Sequence, residues 1–258
     1  MGASWIALSV ALAAMASSGQ AVVQQAAPPP AEDGPPSPDA TPAEATQDIV
    51  VTAQRRAESI QSVPIAISAF TQDGLTAQRI DGGPLLQQAV PNLTFSRGQF
   101  TGTNLQIRGV GTKIYAPTAD SATGIHLNNA PLTANRIFEA EFYDLERLEV
   151  LRGPQGTLYG RNATGGVVNT ITAKPQFDRF DGKVRAEYGN YESVRLIGHV
   201  NMPLGDDAAF RVAAAAVGRD GFGVNRFTGN RIDDRDLWSV RATIRIEPAP
   251  WFRLWALA

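Results

Sequence analysis

LERLEVLRGPQGTLYGRNATGGVVN, from Leu145 to Asn169, reads as a strand running into a loop rich in arginine and glycine. A phosphate-binding loop is excluded because no Gly-Lys-Ser/Thr ending follows. Gly109-Val110-Gly111 likewise lacks the third glycine of a dinucleotide fingerprint. The glycines from Gly153 to Gly166 are read instead as permitting tight turns and close approach to neighbouring strands. Glu146, Arg147, Glu149 and Arg152 alternate in charge along the strand and its exit. Beneath another protein layer they would need partners, and Arg152 has the fork geometry for a carboxylate. Glu146 and Glu149 are expected on opposite faces of a strand, so they cannot share a substrate as a general acid and base. No Ser, His and Asp set sits in an elbow motif.

Upstream, Asp48-Ile49-Val50-Val51-Thr52-Ala53 is short, β-branched and preceded by a segment rich in Ala, Pro, Glu, Asp and Gln from Val22 to Gln47. That segment buries too little apolar surface to offset its ordering entropy and is expected to be an extended tether. Asp48 to Ala53 can then add as a strand to another protein's sheet edge, or simply open the domain that follows. Trp5 to Ala16 is an apolar run of signal-peptide length, too short to span a bilayer as a helix, and residues 1–21 read as a signal peptide. No Lys or Arg precedes Arg55, so the positive n-region is missing; an upstream start codon would explain that.

Folded character is expected from near Ser62. Val63 to Phe70 is strand-like, Thr71 is placed to cap a helix over Gln72 to Arg79, and Pro84 to Ala89 has helical character. Strands are expected over Leu105 to Gly111 and Ile125 to Leu127, and a helical turn over Glu139 to Asp144 ahead of a strand Leu145 to Leu151. This α+β unit spans residues 54–175. After Phe180 the pattern changes to period two. Trp238, Val240, Ala242, Ile244 and Ile246 alternate with Ser239, Arg241, Thr243, Arg245 and Glu247, and Val194 to Asn201 repeats the scheme. Such antiparallel strands fit a soluble sandwich with its apolar face inward, or a membrane barrel with that face to lipid. Aromatic residues at strand ends (Tyr188, Tyr191, Trp238, Trp251, Trp255) and alternating short and long turns favour the barrel.

Composition narrows the function further. A net charge of -2 argues against nucleic acid as a partner, and the absence of cysteine excludes disulfides and thiolate metal sites. The basic residues are 20 Arg and only 3 Lys, which suits bidentate pairing with carboxylates at semi-buried sites, although a GC-rich genome gives the same bias. His126 and His199 lack spaced partners and read as packing or surface residues. No metal site, cofactor or enzymatic constellation is expected.

Several of these stretches resemble the TonB-dependent outer-membrane receptor family. Arg147 to Gly156 and Tyr159 to Asn169 match its "R-I-E-V-L-R-G-P-x-G-x-L-Y-G" and "A-x-x-G-G-V-I-N" patterns, the most specific of the set. Ile107-Arg108-Gly109 matches "I-R-G", and Leu86 to Leu93 the "L-x-x-x-x-P-N-L" element. Gly124 to Pro131 resembles "G-V-x-x-D-G-V-P", with Asn128 in place of the usual acid. Asp48, Ile49, Val50, Val51, Thr52 and Ala53 occupy the place of the TonB box.

The resemblance implies an α+β plug domain inside an antiparallel transmembrane β-barrel of 22 strands. It implies uptake of a scarce bulky solute, most often a ferric siderophore, across the outer membrane. TonB, with ExbB and ExbD, would supply the force through the box, and lipid would surround the wall. On the same basis Glu149 and Arg152 would latch the plug to the barrel, and Gln99, Asn104, Lys113 and Tyr115 on plug loops would meet the substrate. Residues 180–258 have room for about four strands and the start of a fifth. The chain is therefore expected to be the N-terminal part of a receptor, as a gene fragment, frameshifted product or truncated sequence. A periplasmic TonB-binding module without a channel is the competing expectation.

Overall fold

Residues 49–52, 56, 58–97, 103–111, 121–132 and 138–258 are described by the structure, a computed structural model. The signal peptide, the tether, Asp48, Ala53, Gln99, Lys113 and Tyr115 lie outside them.

The N-terminal unit is ordered by strands in which apolar residues face both ways. In chain order these are β1 (Val50–Val51), β2 (Glu58–Ser59), β3 (Ile67–Thr71), β4 (Leu93–Arg97), β5 (Thr103–Ile107), β6 (Thr123–Leu127), β7 (Ala130–Pro131), β8 (Leu145–Arg152) and β9 (Gly166–Thr172). Helices α1 (Gln72–Ala77) and α2 (Gly156–Tyr159) and a 3-10 helix (Gly83–Gln88) lie between them. The main sheet has the order β3-β8-β9-β6-β7, with only β6 and β9 parallel, so β8 is interior and covered on both faces. Leu145, Leu148 and Val150 enter one apolar cluster with Leu75, Leu86 and Ile107. Leu151 enters the other, with Val51, Tyr159, Ala163 and Val167. A double-sided core of this kind explains why LERLEVL carries apolar residues in both phases.

Gly166 shows what the glycine-rich loop is for. Its φ is +149°, and a Cβ there would stand 2.3 Å from the Leu151 carbonyl oxygen, so only glycine lets β9 close onto β8.

Local chemistry shifts several boundaries. The strand expected from Val63 begins only at Ile67, since Pro64 has no N–H to pair. Thr71 caps α1 as expected, its hydroxyl accepting from the Gly74 N–H at 3.1 Å, but the helix ends at Ala77 before Arg79, which sits at φ +54°. Among the described residues before β8 the 3-10 turn covers 138 and 139, and Glu141 already bridges to Gly82. Order also starts earlier than Ser62, because β1 pairs with β2 and Val51 is fully buried.

The second layer is one antiparallel sheet: β10 (Asp181–Gly189), β11 (Ser193–Pro203), β12 (Ala208–Arg219), β15 (Arg235–Ala249) and β16 (Phe252–Leu257). A small hairpin of β13 (Gly223–Val224) and β14 (Arg231–Ile232) extends the loop between β12 and β15. Four full strands and a short fifth are the number expected. The faces settle the choice between sandwich and barrel. Val184, Val194, Leu196, Trp238 and Val240 point outward and are exposed, Trp238 by 77%. Arg195, Asn201, Arg211 and Thr243, on the other face, are buried against the α+β unit. A soluble sheet would bury the first set and expose the second; this wall is inverted, as lipid requires.

Exposed aromatics sit at both ends of this face: Tyr188, Tyr191 and Trp238 at one, Trp251 and Phe252 at the other; Trp255, expected with them, lies opposite Arg245 and so shares the inward face. From Trp238 to Ala249 the strand runs about 36 Å, or roughly 27 Å of height at a tilt of about 40°, close to the apolar band of an outer-membrane barrel.

Candidate functional site

Two constructions stand out, one at the docked N-terminal segment and one at the seam between unit and wall. In the first, the Ile60 N–H donates to the Ile49 carbonyl at 3.0 Å, and Val50 and Val51 lie opposite Ser59 and Glu58. Val51 fills a pocket of Leu151, Tyr159, Ala163 and Val167, while Val50 is half exposed. Beyond it the Thr52 N–H donates to Glu149 Oε1 at 2.7 Å and the Thr52 hydroxyl to the same oxygen at 3.1 Å. Arg147 Nε donates to that oxygen at 2.7 Å, and its Nη2 donates to Thr52 Oγ1 at 3.0 Å. The strand β8 thus puts an ion pair on the face the segment covers, and Glu149 is fully buried beneath it.

At the seam, Asp144 lies just before β8 at φ +50° and is gripped by three wall residues. Arg211 donates to it through both Nε, at 2.9 Å to Oδ2, and Nη2. Arg241 Nη2 donates to Oδ2 at 3.1 Å and to the Asp144 carbonyl at 2.7 Å, and His199 Nδ1 lies 3.4 Å from Oδ1. Glu141 pairs with Arg235 at 2.6 Å and with Arg195, which also holds Asp81. Between these acids the Tyr143 hydroxyl meets Ser239 Oγ at 2.6 Å, and the Arg241 guanidinium lies 4.9 Å above its ring. Ala213, Ala215 and Ile197 form the small-residue floor on which Tyr143 rests. Beside the seam a cavity of about 650 Å³ opens between Arg79, Asp81, Arg185, Arg195, Arg219 and Arg235.

The sequence-derived candidates divide between these places. Ile49 to Thr52 form the docked segment. Glu149 was expected at the wall, but its bonds run inside the unit, to Thr52, Arg147 and, at 3.5 Å, Asn169. Arg152 donates its backbone N–H to the Ala66 carbonyl at 2.9 Å, and its Nε is buried without a hydrogen-bond partner among the described residues. Against the five strands present, the contacts expected of that pair are made by Asp81, Glu141 and Asp144. Asn104, expected on a substrate-facing loop, is instead paired opposite Ser96 at the start of β5 and only 7% exposed. The wall arginines were visible as the polar phase of the alternating strands; which acids they would meet was not.

The family described as TonB-dependent Receptor Plug Domain matches residues 59–167, the α+β unit from β2 to the start of β9. Residues 59–167 belong to the TonB-dependent receptor plug domain family. Over 186 residues it is 30% identical to the iron-regulated outer membrane virulence protein of Vibrio cholerae, covering 67% of this chain and 28% of that protein. The vitamin B12 transporter BtuB of Photobacterium profundum is 28% identical over 193 residues, 74% of this chain and 31% of the transporter. Among solved structures, the ferric yersiniabactin uptake receptor FyuA from Yersinia pestis superposes with a TM-score of 0.63 at 23% identity, over 71% of this chain and 29% of FyuA. The plug followed by antiparallel strands is therefore the family's own arrangement. The chain spans less than a third of the length of these relatives, which are named as outer-membrane proteins, receptors and transporters rather than enzymes.

Proposed function

We propose that this chain supplies the plug, the coupling segment and the first wall strands of a receptor for active uptake of a ferric siderophore across the outer membrane. The observation that carries the reading is the pairing of an inverted wall with a plug whose first strand is a short edge strand. Ile49 to Thr52, with Asp48 and Ala53 at its ends, would be the TonB box, reached by TonB in concert with ExbB and ExbD. Residues 1–21 would direct export, and residues 22–47 would tether the box in the periplasm.

Several features support iron chelates as cargo. Two of the relatives quoted are named for iron regulation or ferric yersiniabactin uptake, and the seam cavity is lined by more arginines than acids, which favours an anionic solute. The BtuB relative keeps cobalamin in view.

The test is uptake of radiolabelled iron from a panel of siderophores in iron-starved cells with the gene intact, deleted, or intact in a strain lacking TonB. Loss of accumulation for one chelate in both mutants is the expected result. Loss of cobalamin instead would replace the cargo. Accumulation independent of TonB would refute the reading.

A further inference from the structure

The way Glu149 meets the N-terminal segment has a consequence for partner binding. In an antiparallel pair, successive residues turn their backbone groups to opposite edges. Ile49 turns its carbonyl to β2, where Ile60 donates to it, and Val51 lies two residues on in the same phase. Val50 and Thr52 therefore turn their backbone groups to the free edge, the edge an added strand would use. There the Thr52 N–H is already engaged, at 2.7 Å, by the Glu149 carboxylate.

We propose that Glu149 is a strand mimic: its carboxylate occupies the backbone donor that a partner strand needs, and so closes the edge until the segment is released. This rests on the reading of Ile49 to Thr52 as the TonB box. Three observations make the carboxylate suited to the task. It is fully buried, so water does not compete for it. Arg147 fixes its position through Oε1, and reaches round to the Thr52 hydroxyl as well. A charged acceptor on a backbone N–H is also stronger than the carbonyl it imitates. An incoming strand offering only a neutral carbonyl is therefore at a disadvantage while Val51 stays seated, and gains access once the segment slides out. Glu149 acts as a positioning residue, holding the segment closed rather than touching cargo.

The absence of cysteine from residues 1–258 makes a direct test possible once any cysteine encoded further along is replaced by serine. Val51→Cys places one thiol in the closed pocket, and its labelling by a membrane-impermeant maleimide is followed in outer-membrane fragments from cells expressing the gene. Adding Glu149→Gln removes the charge; adding Thr52→Pro instead removes the N–H together with the hydroxyl, and its rate is read against Thr52→Val, which removes the hydroxyl alone. Glu149→Gln and Thr52→Pro are both expected to speed labelling of the Val51 position about tenfold or more. Val90→Cys, in the other core cluster, reports whether the plug itself has loosened and should stay unlabelled. If Glu149→Gln opens Val90 as well, the Thr52→Pro rate alone decides. Labelling with Thr52→Pro no faster than with Thr52→Val would overturn the proposal. Binding of the purified TonB periplasmic domain is measured in parallel. Faster labelling with no TonB binding in any variant would keep the closure and discard the box reading.

Discussion

Removing the Asp144 carboxylate should loosen the plug from the wall more than any other single truncation at the seam. Asp144→Ala leaves Arg211 without an acidic partner among the described residues, and leaves Arg241 with only the backbone carbonyls of residues 143 and 144. The three side chains are between 4% and 11% exposed, so neither guanidinium regains full hydration. Breaking a buried pair by deleting one partner costs about 3–5 kcal/mol, because a charge is left uncompensated. The two stranded cations argue for the upper part of that range and the retained carbonyl bonds for the lower. In hydrogen exchange on outer-membrane fragments, peptides spanning residues 139–152 should therefore exchange roughly a hundred to a few thousand times faster, at about 1.4 kcal/mol per tenfold. Arg211→Ala should cost less in the Asp144→Ala background than alone, since the pair is already broken. An exchange change below about tenfold would mean that the pair is solvated like a surface bridge, and would refute the reasoning.

Val240→Arg places a charge on the outward face beside Trp238 and should cost about 2–4 kcal/mol if that face meets lipid near midplane, read as reduced insertion of the protein into membranes; normal insertion would deny the inversion. Tyr143→Phe deletes the hydroxyl that meets Ser239 and should weaken protection of the same peptides by about 1 kcal/mol, an effect absent in a Ser239→Ala background. Gly166→Ala forces a Cβ against the Leu151 carbonyl and should leave the plug protease-sensitive at the β8–β9 junction, whereas Gly156→Ala, with no atom within 4 Å of its added Cβ and no left-handed backbone, should be milder.

Much of this was legible in local chemistry. LERLEVL announces a strand, though its interior place came only with the sheet order, and Thr71 announces a helix start because its hydroxyl reaches the Gly74 N–H. Strict alternation around Trp238 to Glu247 fixed two unlike faces but not which lay outward; that needed the plug, whose acids take up the arginines. Long-range placement was the limit. Glu149 is separated from Thr52 by 97 residues, and Arg211 from Asp144 by 67, so nothing local marks either pair. The latch role of Glu149 came from the family resemblance alone; among the described residues its bonds run to Thr52, Arg147 and Asn169. Asn104 is placed on a substrate-facing loop by the resemblance alone, yet strand pairing turns it inward.

The floor beneath Tyr143, alanine on β12 with ionic bonds around it, also bears on how work is done across the seam. An oily contact resists shear until it fails as a whole, because every apolar atom must be wetted together. Ion pairs over small side chains behave as a row of separate fasteners. Each must be undone against its own buried-charge cost, so the seam would open as a series of separate steps rather than as one sheet.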